Sequence, residues 1–192
     1  DATGGCIEHC DFLIRPDGFN IPYDAEKIHG ISTALAASEG VPLISVLEKF
    51  NEALSKAKFV VGQNVSFDIN IMGCEFYRME LETPLNKRPV LDTCTETTAS
   101  LCQLAGGRGG KFKLPTLTEL HQYLFNKPFA QAHNATADVE ATTRCFLELL
   151  RTGKYSVEQL GVSADYLEEF QTRNNEVIAP LGLKHRNLKK AS

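Results

Sequence analysis

A chain of 192 residues with 43% hydrophobic and 23% charged residues can bury a sizeable core, and its composition excludes a disordered or fibrous class. The net charge of −4 gives no overall basic field, so a tight, non-specific nucleic-acid binder is disfavoured and any polyanion must meet local groups or bound cations. No apolar run reaches membrane-spanning length and no signal-peptide pattern opens the chain, so no membrane partner is expected.

Residues 1–5 read as a turn, and Cys6 to Arg15 alternates with Cys6, Cys10, Phe12 and Ile14 on one face, which predicts a half-buried strand. Pro16-Asp17-Gly18 ends it. Asp24 is suited to cap a short helical turn finishing at His29-Gly30, with glycine in the left-handed position. Leu43, Val46, Leu47, Phe50, Leu54 and Ala57 predict an amphipathic helix, followed by a strand over 59–63. A helix from Ser66 carries apolar residues on two faces (Phe67, Ile71, Cys74; Ile69, Met72, Phe76) and is expected to be covered on both. A short strand over 90–93 and a helix over 95–104 come next.

The loop from Ala105 to Lys113 is glycine-rich and basic but is not a phosphate-binding P-loop. Ala105 stands where its first glycine should be, and Phe112 where Ser or Thr should be. Two readings are open for it: a surface loop, or Arg108, Lys111 and Lys113 touching substrate phosphates. Leu117, Leu120 and Leu124 mark another helix, and from Val139 the stripe Val139, Thr142, Phe146, Leu149 predicts a longer one. Ser156 and Gln159 form a capping box, and a further helix carries Leu167 and Phe170. Residues 183–190 are basic, either a solvated tail or a docking segment. The six cysteines lack C-x-x-C and zinc spacing and fall mostly on apolar faces, as in a reduced, cytoplasmic protein.

Two places carry candidate chemistry. Asp68 lies in a first helical turn at the mouth of a strand, where ligands of open α/β sheets gather. Asp138 also lies in a first helical turn, sharing a face with Thr142, Cys145 and Leu149, with His133 five residues upstream. Two carboxylates in such settings, one with an imidazole nearby, suit hard divalent cations and a base.

The spacing Asn64-x-x-Phe67-Asp68 followed by His133-x-x-x-x-Asp138 resembles the second and third motifs of the DEDDh 3′–5′ exonucleases, in particular their DNA polymerase III epsilon-type proofreading members. Lys27-Ile28-His29-Gly30-Ile31-Ser32 and Leu91-Asp92-Thr93 are similar to further segments of that family, in the same order. The resemblance covers about residues 1–150. It implies an α/β, ribonuclease H-like fold, a mixed β-sheet of about five strands flanked by helices. An exonuclease domain over 1–152 and a short helical, basic extension over 153–192 follow from where it fades.

The implied reaction removes nucleotides from a DNA 3′ end with two divalent cations, Mg2+ or Mn2+, about 4 Å apart. The resemblance makes His133 the base that takes a proton from the attacking water, and Asp68 and Asp138 the metal ligands. It makes Asn64 the residue that orients the site, Phe67 a wedge at the nucleotide, and His29 a contact beside the cleft. On its own Phe67 is equally a core residue, and His29 a partner of the negative helix end. Partners follow as a single-stranded DNA 3′ end or RNA, with a DNA polymerase subunit as a protein partner.

One departure is large. The family's first motif, Asp-x-Glu on a central strand, has no counterpart: Asp1-Ala2-Thr3 has Thr where Glu belongs. The expectation is that N-terminal strand sequence is missing from this chain, that flanking strand edges are exposed, and that the chain alone is inactive. An RNA-directed exoribonuclease and a non-catalytic exonuclease-like binding module are the competing readings. Gln63, where the family often has His, is a mild departure.

Overall fold

The computed structural model describes residues 1, 3–129 and 134–184. In chain order the elements are α1 (Tyr23–His29), α2 (Thr33–Glu39), α3 (Leu43–Lys56), β1 (Val60–Gly62), α4 (Ser66–Arg78), β2 (Val90–Asp92), α5 (Glu96–Cys102), α6 (Leu117–Phe125), α7 (Ala135–Arg151), α8 (Val157–Leu160) and α9 (Ala164–Arg173). The fold is α/β. Among the described residues the sheet is β1 paired in parallel with β2, Val60 opposite Val90 and Gly62 opposite Asp92, not the five strands expected.

α7 is the element around which the rest is assembled. Cys145, Leu147, Leu149 and Leu150 are buried on it, and it packs against α6, β1 and α9. Leu91 of β2, Leu120 of α6, Leu160 of α8 and Phe170 of α9 close the same core. Each such side chain, taken from water, contributes about 1.5–3 kcal/mol, so this one helix gathers much of the hydrophobic stabilisation. Tyr155 and Ile178 belong to the same cluster, so the chain beyond residue 152 packs into the core of the part before it. Burial holds the Cys145 thiol protonated, its pKa pushed up to about 12.

Helix boundaries follow local chemistry. Thr95, Thr116 and Ser156 each cap a helix through a reciprocal capping box. Gly30 ends α1 in the left-handed conformation at φ 74°. α1 begins after Pro22, however, with Asp24 in its first turn and not at its cap. α2 was not foreseen; Ser32 caps it by accepting the Leu35 N–H.

Three expectations need correction. Residues 6–15 do not form a strand: only Ile14 pairs, with Val41, and Cys6, Cys10 and Ile7 are exposed. Alternation makes a strand only where a neighbour supplies hydrogen bonds, and here one bridge does. α4 is not covered on both faces, because Phe67, Ile71 and Cys74 are exposed while Phe76 is buried. Three of the six cysteines (Cys6, Cys10, Cys74) are likewise exposed.

The segment after α9 runs back along α7 as an irregular strap. Glu140, Arg144 and Glu148, spaced four apart and so on one helix face, grip its main chain. Glu148 accepts the Ile178 N–H at 3.1 Å. Arg144 donates to the Ile178 carbonyl at 2.8 and 3.3 Å. Glu140 accepts the Gly182 and Leu183 N–H groups at 3.0 and 3.3 Å. The strap is therefore antiparallel to α7. Leu183, read as the start of a basic tail, is held here; 185–192 lie outside the described residues.

Candidate active-site cleft

A cleft of about 900 Å³ opens where β1 and the first turns of α4 and α7 meet. Its geometry begins with the turn after β1. Gly62 is required there, since a Cβ would stand 2.6 Å from Val65 Cγ2. Asn64 takes a left-handed conformation at φ 55°, which asparagine tolerates better than most residues.

Asp92, at the end of β2, braces that turn. Its carboxylate accepts the Asn64, Val65 and Cys94 N–H groups at 2.9, 3.1 and 2.7 Å. α4 has no capping side chain of its own, so the acceptor ahead of its first turn comes from the neighbouring strand. Thr93, fully buried, donates to the Gly62 carbonyl at 3.1 Å and to Gln63 Oε1. Gln63 in turn donates to the Pro115 carbonyl at 2.8 Å. The turn that presents Asn64 and Phe67 is thus held from both sides.

Asp68 projects into the cleft from the first turn of α4, and Phe67 beside it is 64% exposed. Partial burial, and secondarily the Asp92 charge, raise the Asp68 pKa above its ordinary value, although its own N–H opposes the shift. Asp138 enters from the first turn of α7. There Asn134 caps the helix, accepting from Thr136 and Ala137 N–H at 3.1 and 3.2 Å. Thr136 also donates to Asp11 at 3.3 Å, tying the start of α7 to the N-terminal segment. Val139, 53% exposed, and Thr142 continue the α7 wall.

The structure therefore brings Asn64, Phe67, Asp68 and Asp138 to one cleft. His29 is not among its lining residues; its Nδ1 accepts the Ile31 N–H at 3.0 Å. His133 lies outside the described residues. The basic loop is also away from the cleft walls, and Lys111 and Lys113 are paired with Glu96 and Glu119 at 2.5 and 2.6 Å.

Two aspartate carboxylates on one cleft are hard oxygen donors of the kind Mg2+ and Mn2+ take. The donor type fits a divalent cation. The donor number is short, because the described residues contain no cluster of three His, Cys, Asp or Glu able to hold one.

Asp92, which builds the turn, was visible in the sequence only as part of a matching segment; a carboxylate directly after a strand is the signal that could have found it. His121 and Arg144 gave no such signal. His121 is 3% exposed on α6 and contacts Arg144 of α7 beside a second cavity of about 600 Å³.

A cleft at the end of parallel strands, with carboxylates from two helix starts, is the setting of a metal-dependent nuclease. A model of the exonuclease family RNase_T matches residues 2–146, and the chain belongs to that family. That membership implies a ribonuclease H-like α/β fold, a nucleic-acid substrate and a family chemistry that generally uses two divalent ions. No curated protein matches the chain. Among the described residues no helix is long and apolar enough to cross a membrane.

Proposed function

We propose that this chain is the core of a 3′–5′ exonuclease that removes nucleotides from single-stranded DNA 3′ ends, in proofreading or repair. The observation that carries the reading is that Asp68 and Asp138, far apart in sequence, line the same cleft from the first turns of α4 and α7. They would hold divalent cations, Mg2+ or Mn2+, whose chemistry is to neutralise charge developing on the scissile phosphate. Further carboxylates would have to complete the set. The cleft runs along β1, where an added strand bearing Asp-x-Glu would supply them.

The remaining roles belong to this chain's own side chains. His133 takes a proton from the attacking water, a role that requires a neutral imidazole. Asn64, fixed through the Asp92 brace, orients the site. Phe67, exposed at the rim, gives a flat apolar face to the terminal base. His29, whose Nδ1 accepts the Ile31 N–H, is the outer nucleotide contact beyond the cleft lining. We place the exonuclease domain at 1–152 with 153–192 as its extension, acting in the cytoplasm beside a polymerase subunit.

The test is an assay of the full-length protein on 5′-labelled single strands with Mg2+ or Mn2+. Ladders shortened from the 3′ end are expected, and Asp68→Asn, Asp138→Asn and His133→Ala should each lower the rate by about 100-fold or more. A protein that gives no ladder, and whose His133→Ala form behaves identically, overturns the reading. Parallel RNA oligomers separate a ribonuclease from a deoxyribonuclease, since only RNA presents a 2′-OH. One other reading, a non-catalytic binding module, rests on the lack of an Asp-x-Glu motif in the sequence and predicts strand binding without cleavage.

A further inference from the structure

The two cavities share one wall. Phe129 lines the cleft with Asp68 and Asp138, and it also lines the second cavity behind it. What holds Phe129 is a partly buried polar chain that begins at the strap. The Ile178 carbonyl accepts two hydrogen bonds from Arg144, and the Arg144 guanidinium lies 4.0 Å from the Phe125 ring centroid. A third Arg144 nitrogen contacts His121 Nε2 at 3.0 Å.

Guanidinium has no acceptor, so Nε2 must accept and the proton must sit on Nδ1. Nδ1–H then donates to the Lys127 carbonyl at 2.7 Å, and the ring packs against Phe129 with centroids 5.5 Å apart. Burial, with the Arg144 charge adding to it, lowers the His121 pKa against the opposing Lys127 bond, which keeps this tautomer neutral. The bonds therefore run one way: Ile178 sets Arg144, Arg144 sets the His121 tautomer, and His121 sets Lys127 and Phe129. Residue 129 is also where the chain enters the short run to His133, and Asn134 fixes the other end as the α7 cap.

We infer that Arg144 and His121 are positioning residues of the nuclease cleft, through which the strap at Ile178 holds Phe129, a residue of the cleft wall. The inference rests on the proposed nuclease reading. It gives a catalytic consequence to a segment outside the family match, which ends at residue 146. Neither side chain touches substrate. Each acts by fixing where a cleft wall stands, and a displacement of about 1 Å at a reacting group can cost on the order of 100-fold.

The test uses the full-length protein and four variants. Arg144→Met keeps the apolar stem and removes the donors; Arg144→Lys restores one donor; His121→Phe keeps the ring and removes both bonds. Leu160→Ala, a buried α8 residue away from this chain of bonds, serves as a control for lost stability. The expected result is a kcat lower by about 10- to 100-fold in Arg144→Met and His121→Phe, with KM within about threefold of wild type and partial recovery in Arg144→Lys. Amide exchange should rise across 126–129 in the first two variants and stay unchanged in α4.

If kcat stays within about twofold of wild type in both variants while His133→Ala abolishes cleavage, the inference fails and the nuclease reading stands. A kcat loss matched by Leu160→Ala overturns it equally. If His133→Ala cleaves as wild type does, the nuclease reading fails instead. The exchange measurement then decides alone: raised exchange over 126–129 supports the wall-holding role, and unchanged exchange overturns it.

Discussion

Glu148→Gln is the sharpest test of how the strap is held. Glu148 is 3% exposed and accepts Arg151 Nε at 2.9 Å, a second Arg151 nitrogen, and the Ile178 N–H at 3.1 Å. Removing one partner of a buried ion pair costs about 3–5 kcal/mol. Here the Arg151 side chain is 20% exposed, so water recovers part of its solvation, and glutamine can still accept from Ile178. About 2–3 kcal/mol is therefore expected, or about 4–12 °C in Tm for a domain of this size.

The pH dependence has a definite sign. Burial opposes ionisation of Glu148, yet the bonds from Arg151 and Ile178 and the nearby Arg151 and Arg144 charges outweigh it, leaving its pKa below the ordinary 4.5. A depressed carboxyl stabilises fully above its unfolded value, and that contribution is lost as pH falls through the folded one. Urea titrations of wild type and Glu148→Gln from pH 7 to pH 3 should therefore converge toward acid. A double-mutant cycle with Arg151→Met should give a coupling above about 1 kcal/mol. A Tm within about 1 °C of wild type, together with curves that stay parallel to pH 3, would refute the reasoning.

Asp92→Ala strips the acceptor from three N–H groups and should cost about 2 kcal/mol by urea denaturation, with cleavage falling more than stability explains because the Asn64 turn loses its brace. Asn134→Ala removes the α7 cap and should lower stability by about 1 kcal/mol, seen as a Tm drop of about 2–4 °C. Replacing Arg108, Lys111 and Lys113 together by Ser should leave KM within about twofold, because both lysines are engaged in exposed pairs worth about 0.2–1 kcal/mol each. A large rise in KM with a flatter salt dependence would return that loop to the substrate.

What the sequence made legible is what periodicity and capping encode. The stripes of α3, α6 and α7, the Ser156 box and the positions of Asp68 and Asp138 in first helical turns all read directly, because each depends on neighbours within one or two turns. The 6–15 segment misled because its alternation is a local property, whereas a strand needs a partner elsewhere in the chain. α4 misled similarly: apolar residues on two faces do not say what covers them, and Phe67, Ile71 and Cys74 remain exposed. The tautomer of His121 is set by an arginine 23 positions away, which no local pattern records.

The strap was the least legible part because α7 grips its amides and carbonyls. That mode of attachment gives the strap an unusual mutational tolerance. Position 179, which is exposed, can exchange one side chain for another with little consequence for how the segment is held. Proline is the residue barred at 178, 182 and 183, each of which must donate an N–H. Ile178 is also restrained by its side chain, which joins the core, and Gly182 by its left-handed φ of 67°.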